Sequence, residues 1–220
     1  MKKIYLSPSE QPDNRYAYGN TNEKAVCREI AAYTEKALKR NGFEVINATA
    51  TTLSVRCAEA DKWGADLYIP IHTNAFNNKV SGTRMFCYRL SGEGYKASQA
   101  IYNVLAPLTP GTSENVTANP SLYEVKTPKA PTAYIEVDFH DVPNIAKWII
   151  EHTEEIGEAI CKGVCNHYGV TYKKAVVETK PETTGKVYRV QVGCYSKLEN
   201  ATAMKNKLKA AGFDAIIKEG

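Results

Sequence analysis

Short apolar runs alternate along this chain with stretches whose apolar residues return every third or fourth position, and that alternation divides it into strands and helices. Lys3 to Ser7 reads as a first strand. The turn formers from Pro8 to Asn14 follow as a loop that continues through Tyr16 to Asn20. Asn20 or Thr21 is the expected cap of a helix with Val26, Ile30, Tyr33 and Ala37 at helical spacing, stopped by Asn41-Gly42. Phe43 to Ala48 reads as a second strand, and Leu53 to Trp63 as a second helix offering Leu53, Val55, Ala60 and Trp63 to the sheet. Asp66 to His72 is the third strand. Gly82 to Tyr88 is the fourth, with Thr83, Met85 and Cys87 alternating against Arg84, Phe86 and Tyr88. A helix opens at Ser91-Gly92-Glu93 and runs to about Leu105. A Pro, Thr, Gly and Asn-rich loop is expected from Pro107 to Pro120, then strands at Leu122 to Lys126 and Ala133 to Val137, then one or two helices from Asn144 to Tyr168. Alternation of this kind predicts an α/β domain over residues 1–172, a twisted, largely parallel sheet with helices on both faces.

The pattern changes at Lys173. Residues 173–185 are lysines, glutamates, threonines and a proline with little to bury, the composition of a linker. Residues 186–220 predict a small β-α-β unit: a strand from Lys186 to Gly193, a helix from Leu198 to Ala211, and a closing strand from Phe213 to Lys218. Leu38 to Val45 resembles Leu208 to Ala215, and the likeness is that of two helix stops, each a left-handed glycine followed by an apolar residue that folds back.

A chain of 220 residues with 43% hydrophobic content can bury one good core and carry a small appendage. Its net charge of +4 is dispersed, which argues against a nucleic-acid partner and suits either an anionic surface or ordinary solvation. No run of ~18 apolar residues exists, so no membrane span is expected. The opening Met-Lys-Lys-Ile-Tyr-Leu-Ser-Pro has too short an apolar part for a signal peptide. The six cysteines form no CxxC pair and read as reduced, mostly buried small hydrophobes. Cys161 and Cys165, with His167 nearby, read as one packed helix face rather than a metal site.

Four polar features interrupt this apolar design. Pro70 cannot donate to a ladder and so marks an edge position or irregular pairing, just before His72 at the mouth of a buried strand. Glu23 stands near a helix start, where reaching back to the cap amide is the alternative to a role in chemistry. Glu10 and Gln11 lie in the loop after the first strand. Glu136 sits inside the apolar run Ala133 to Phe139, where an ionised carboxylate is costly unless something such as a bound dication compensates it.

The order of these features resembles the zinc-dependent N-acetylmuramoyl-L-alanine amidases of the amidase-3 family. Ser7-Pro8-Ser9-Glu10 stands for that family's D-P-G-H-type loop, and Gly19-Asn20-Thr21-Asn22-Glu23 for its helix-start glutamate. Pro70-Ile71-His72-Thr73-Asn74 stands for the S-I-H-x-N segment and Ile135-Glu136-Val137-Asp138-Phe139 for V-E-x-G-F, with Arg56, Ala65-Asp66 and Gly82 as supporting matches. The resemblance covers residues 1 to about 170. It implies that Glu23 and His72 bind Zn2+, that Glu136 is the general base, and that Asn74 and Arg56 contact substrate. The family's first histidine is missing. Register puts Glu10 in its place, while the opening also resembles phage-type and clostridial-type amidases that begin S-P-S-x-Q, which makes Gln11 the competing ligand. A carboxylate binds zinc better, whereas a neutral amide keeps the usual charge of the site.

The tail resembles the first half of a SPOR domain, a peptidoglycan-binding module, over Tyr188 to Ser196, Asn200-Ala201 and Leu208 to Phe213. That resemblance makes Tyr188, Gln191 and Tyr195 candidate glycan contacts. The resemblances together imply a peptidoglycan amidase cutting between N-acetylmuramic acid and L-alanine. A phage or prophage endolysin, made in the cytoplasm and acting at the wall after release, is the expected setting. The alternative is a non-catalytic wall-binding protein with a degenerate metal site. A two-strand, one-helix unit of fewer than ~40 residues exposes an apolar face and a strand edge. Pairing of two tails into a homodimer is therefore expected, with docking onto the catalytic domain as the competing solution.

Overall fold

The computed structural model describes residues 1–112, 115–175 and 191–218, in two compact units, Met1–Ala175 and Val176–Gly220. In the first unit the chain runs β1 (Lys3–Pro8), α1 (Glu23–Arg40), β2 (Glu44–Asn47), α2 (Leu53–Trp63), β3 (Leu67–Asn74), β4 (Arg84–Cys87) and α3 (Gly92–Leu105). It continues through β5 (Asn115–Ala118), α4 (Tyr123–Lys126), β6 (Tyr134–Phe139), α5 (Pro143–Glu151) and α6 (Thr153–Tyr168). The strands form one six-stranded sheet ordered β2-β1-β3-β6-β4-β5. Every pairing is parallel except β4 with β6.

Period-two alternation gives this sheet two chemically different faces. On one lie Ile4 and Leu6 of β1, Leu67, Ile69 and Ile71 of β3, Ile135 and Val137 of β6 and Met85 of β4, all within one buried apolar cluster. Helices α1 and α3 pack on the strands of this face, and α6 packs on both helices. The approach of α6 is close: a Cβ on Gly157 would come within 2.7 Å of the Tyr33 Cβ, and one on Gly163 within 2.4 Å of the Ile101 Cα. The opposite face carries Tyr5 and Ser7 of β1, Tyr68 and His72 of β3, and Tyr134 and Glu136 of β6, in registers that bring Tyr5 beside Tyr68 and His72 beside Glu136. Helix α2 covers the Tyr5–Tyr68 end with Cys57 and Ala60, leaving Val55 exposed rather than facing the sheet.

Several expectations are corrected. Strand β5 lies where the pattern predicts a loop, because Asn-Val-Thr-Ala carries almost no apolar signal and is defined only by its ladder with β4. Leu122 to Lys126 is not a strand. It closes a single helical turn that buries the adjacent residues Glu124 and Val125, which no alternating strand can do on one face. The cap of α1 is Asn22, whose side chain accepts from the Ala25 amide, rather than Asn20 or Thr21. Pro70 is not at an edge, since β3 lies between β1 and β6. Its irregular pairing is on the β6 side, toward which Tyr68 bonds with Pro131 and Ala133. The regular register there starts only at Ile71 and shifts between His72 and Asn74.

In the second unit, residues 191–218 contain helix α7 (Leu198–Ala210) and, among the described residues, no strand. The expected closing strand at 213–218 is irregular, with Phe213 and Ile216 exposed, because a strand exists only through a ladder partner. Most of the expected partner segment, residues 186–190, and most of the 173–185 linker lie outside the described residues, and residues 191–193 of that segment are irregular. The two helix stops are alike in detail: Gly42 and Gly212 have φ of 86° and 85°, and Phe43 and Phe213 return amide bonds of 3.1 and 3.0 Å to Leu38 and Leu208.

Candidate active site

The site is built on the polar face of the sheet around His72. Its ring stacks on Tyr134, with centroids 4.8 Å apart, and its Nδ1 lies 2.8 Å from Glu23 Oε1. Glu23 is the first helical residue of α1 and is buried. Its side chain turns inward instead of back to the cap: Oε1 also accepts from the Thr73 amide at 3.4 Å, and Oε2 accepts from Asn14 Nδ2 at 2.6 Å. On the other edge of the ring, His72 Nε2 is buried without a hydrogen-bond partner, 3.6 Å from Glu124 Oε2. Glu136 faces His72 across the β3–β6 ladder and leaves a buried Oε2 unpartnered.

The charge balance follows from burial and these contacts. Burial disfavours a charged His72, yet the nearby Glu124 carboxylate, the hydrogen bond to Glu23 and the Glu136 charge outweigh it, pushing the imidazole up to about 10. Burial pushes the Glu136 carboxyl up to about 8; His72 opposes that rise and Glu23 adds to it. Burial works against ionised Glu23 and Glu124 as well, but His72, with Asn14 and Ser9 for the first and Ser7 and Tyr68 for the second, holds both below the usual range. Three carboxyl groups therefore surround one imidazole in a buried pocket.

Glu10 is not brought to this pocket. Its Oε2 pairs with Lys24 at 2.9 Å and its Oε1 with Arg28 and, at 3.0 Å, Arg56. A carboxylate held by three cations is an ion-pair hub, and the structure does not bring Glu10 to His72. Gln11 stands nearer to the site: its Oε1 accepts at 2.9 Å from the same Asn14 Nδ2 that donates to Glu23. Arg56 is fully buried, donating to Ala50 O, Ser7 Oγ, Pro8 O and Glu10, so it braces the loop after β1 and has no face for substrate. Asn74 ends β3 with Oδ1 accepting from the Ala75 amide at 2.8 Å and its carbonyl accepting from His140. Thr73 ties this end down through Tyr16 and His140. In the second unit Gln191 is exposed, its amide 3.4 Å from Gly193 O, and Tyr195 is 39% exposed; Tyr188 lies outside the described residues. Cys161 and Cys165 are buried, and His167 Nε2 turns to Glu93.

Glu124 is the site residue that the pattern missed. It is buried, and its Oε1 accepts from Ser7 Oγ and, at 2.7 Å, from Tyr68 Oη. A carboxylate within Leu122-Tyr123-Glu124-Val125 is open to notice, but a strand reading points it outward.

Among the described residues no three His, Cys, Asp or Glu side chains converge on one point as a metal group. Glu23 and Glu124 address opposite nitrogens of His72, and Gln11 is joined to the Glu23 side through their shared partner Asn14. The pocket nevertheless fits a cation: an adjacent Glu–His donor pair and an unpartnered buried carboxylate are both present.

A mostly parallel α/β sheet bearing a buried Glu–His pair, with a further carboxylate beside it, marks the first unit as an α/β domain with a candidate catalytic centre. Residues 4–166 match the N-acetylmuramoyl-L-alanine amidase family, and the chain belongs to that family of peptidoglycan amidases. Residues 169–219 match the SPOR domain, a match that begins upstream of the tail delineated from the sequence pattern. A sporulation-specific N-acetylmuramoyl-L-alanine amidase of Bacillus subtilis (strain 168) is 23% identical over 227 residues, covering 99% of this chain and 84% of its own. An uncharacterised 38.4 kDa protein of Clostridium perfringens is 28% identical over 159 residues, covering 68% of this chain, which spans about half (46%) of that relative. Among solved structures, the catalytic domain of the amidase CwlV from Bacillus (Paenibacillus) polymyxa var. colistinus superimposes with a TM-score of 0.69 at 17% identity, over 78% of this chain and all (100%) of its own. The Clostridioides difficile CwlD amidase, solved in complex with the GerS lipoprotein, gives 0.65 at 20% identity, over 77% and 99%. These structures share the fold. No helix among the described residues is long and apolar enough to cross a membrane.

Proposed function

We propose that the first unit hydrolyses the amide between the lactyl group of N-acetylmuramic acid and L-alanine of the stem peptide, with zinc held by Glu23 and His72 Nδ1 and with Gln11 as the neighbouring neutral donor. Zinc in that position supplies Lewis acidity and lowers the pKa of water. The observation that carries the reading is Glu136, a buried carboxylate with a free oxygen directly across the ladder from His72. Glu136 takes a proton from the attacking water as the water oxygen bonds to the carbonyl carbon. It returns that proton to the L-alanine nitrogen as the C–N bond breaks, so the amine leaves neutral and the lactyl group keeps a carboxyl. Stacking on Tyr134 and the Glu23 contact fix the His72 ring while this happens.

Glu136→Gln tests the assignment. The amide keeps the shape of the side chain and cannot carry the proton, so turnover on purified peptidoglycan should fall ~100-fold or more with zinc content unchanged. The product of the unaltered enzyme should be new L-alanine amino termini without new reducing sugars. Retained turnover in the variant, or reducing sugars as the product, sinks the reading.

The SPOR match supports the second unit as the part that holds the enzyme on glycan. We extend the proposal to pairing of two tails, which would raise effective concentration on a polymer. Light scattering checks it, since a monomeric full chain at micromolar concentration excludes the pair.

A further inference from the structure

Glu124 has no part in the reaction described above, yet it is among the most buried charges of the molecule and points at a ligand of the proposed zinc site. Each imidazole nitrogen carries its lone pair or proton in the ring plane, and the two directions diverge. With Nδ1 turned to Glu23 at 2.8 Å, a metal on that side leaves Nε2 aimed away from it. There the nearest carboxylate oxygen is Glu124 Oε2 at 3.6 Å, and Nε2 has no hydrogen-bond partner. The separation is too long for a formed hydrogen bond and short enough for a small rotation of either side chain to close.

The other oxygen is already committed. Glu124 Oε1 accepts from Tyr68 Oη at 2.7 Å and from Ser7 Oγ, and Ser7 Oγ accepts in turn from Arg56 Nη1 at 3.0 Å. Arg56 ends on Glu10, so a continuous chain of hydrogen bonds runs from the ion-pair hub at the loop after β1 to Glu124, whose other oxygen faces the far edge of His72. Helix α4 sets the backbone at Glu124, and β1 and β3 supply its anchors, which makes the carboxylate a fixed point rather than a mobile surface group.

We infer that Glu124 is the positioning residue of the metal site: its Oε2 accepts from His72 Nε2–H, holding the tautomer that presents the Nδ1 lone pair to zinc. Ligating histidines commonly donate their second nitrogen to a carboxylate, which orients the ring and raises its basicity. This inference rests on the zinc reading above. It also gives a structural reason for the two glutamates on one imidazole: they address opposite nitrogens, so only one of them reaches the ion.

The test uses the full chain, Glu124→Ala and Glu124→Gln, with zinc affinity measured by chelator competition and the His72 ring followed by 15N NMR. Positioning predicts that Glu124→Ala still takes up one zinc at saturation but binds it about 10- to 100-fold more weakly, with Glu124→Gln between it and the unaltered protein. In the zinc-loaded protein the Nε2–H proton should be visible and protected from exchange, and Glu124→Ala should lose that protection. Cobalt(II) in place of zinc should give the same visible bands in Glu124→Gln as in the unaltered chain. A cobalt spectrum of changed coordination, or a Glu124→Gln protein that cannot be loaded at all, makes Glu124 a direct ligand and overturns the inference. Unchanged affinity with an unchanged Nε2–H signal overturns it as well. Because Glu124→Gln conserves volume, it keeps the test open if the alanine variant fails to fold. Failure of the zinc reading itself is separate, since the unaltered chain would then take up no zinc before any variant is made.

Discussion

The two faces of the one sheet are written in different chemical languages. On the face under α1, α3 and α6, alternate residues of four strands are Ile, Leu, Val and Met, and stability comes from removing them from water, without regard to the direction of any atom. On the other face β1, β3 and β6 present Tyr5, Ser7, Tyr68, His72, Tyr134 and Glu136, whose burial is tolerable only when each polar atom meets a partner. Among these six side chains, two buried atoms lack one, His72 Nε2 and Glu136 Oε2, and both lie in the site. The contrast teaches that the apolar face folds the domain, while the polar face keeps unspent interactions for a ligand.

Ile30 on α1 gives the largest effect that would separate the faces. It is fully buried in the apolar cluster, so Ile30→Ala should cost about 2–5 kcal/mol of unfolding free energy, read by denaturant titration, with turnover per folded molecule nearly unchanged. A large loss of turnover in the folded fraction would show that the faces are not separable.

A pH series on metal-free protein sharpens the other side. In the unfolded chain Glu136 ionises near 4.5, and in the folded protein it holds its proton to about 8. Between those values the folded state binds more protons, so its stability falls as pH rises across that window. Glu136→Gln removes this contribution. Thermal unfolding should therefore show the variant gaining on the unaltered protein from pH 5 to pH 8, by at least ~1 kcal/mol. Parallel pH curves would show that Glu136 is not a strained, ligand-awaiting group.

Glu10 provides a smaller and opposite signature. Burial alone would raise its carboxyl, but Lys24 and Arg28 hold it below the ordinary range. Its contribution is present above the unfolded value and lost as pH falls through the depressed one. Glu10→Gln should cost about 1–3 kcal/mol at pH 7, converge with the unaltered protein in acid, and leave zinc affinity within a few-fold. Loss of zinc by this variant would return Glu10 to the ligand set. The smallest effect is expected at Val55, which is 52% exposed on α2: Val55→Ser should change stability by less than about 0.5 kcal/mol.

Much of the fold is legible in the order of residues alone. The apolar residues of β1, β3 and β6 recur with period two, those of α1 and α3 at helical spacing, and the glycine stops of α1 and α7 announce themselves. Glu136 is conspicuous because a carboxylate in an apolar run needs compensation. The misses share a cause. Asn115–Ala118 becomes a strand only by pairing with β4, and Tyr123–Lys126 becomes a helical turn only by tucking Glu124 under the sheet.

Local order, the amphipathic alternation and the presence of an uncompensated buried acid are properties of neighbouring residues, and the chain carries them in its pattern. Which atoms meet is another matter. Glu23 reaches His72 across 49 residues and Ser7 reaches Glu124 across 117, so the placing of Glu10 in an ion-pair hub and of Gln11 on Asn14, and the carboxylate at each edge of the imidazole, exist only once the sheet has closed. Hydrogen bonds and ion pairs are directional and fade within a few ångströms, whereas hydrophobic burial depends on area alone. Composition and period are therefore enough to sort one face of this sheet, and only the three-dimensional register could assign the other.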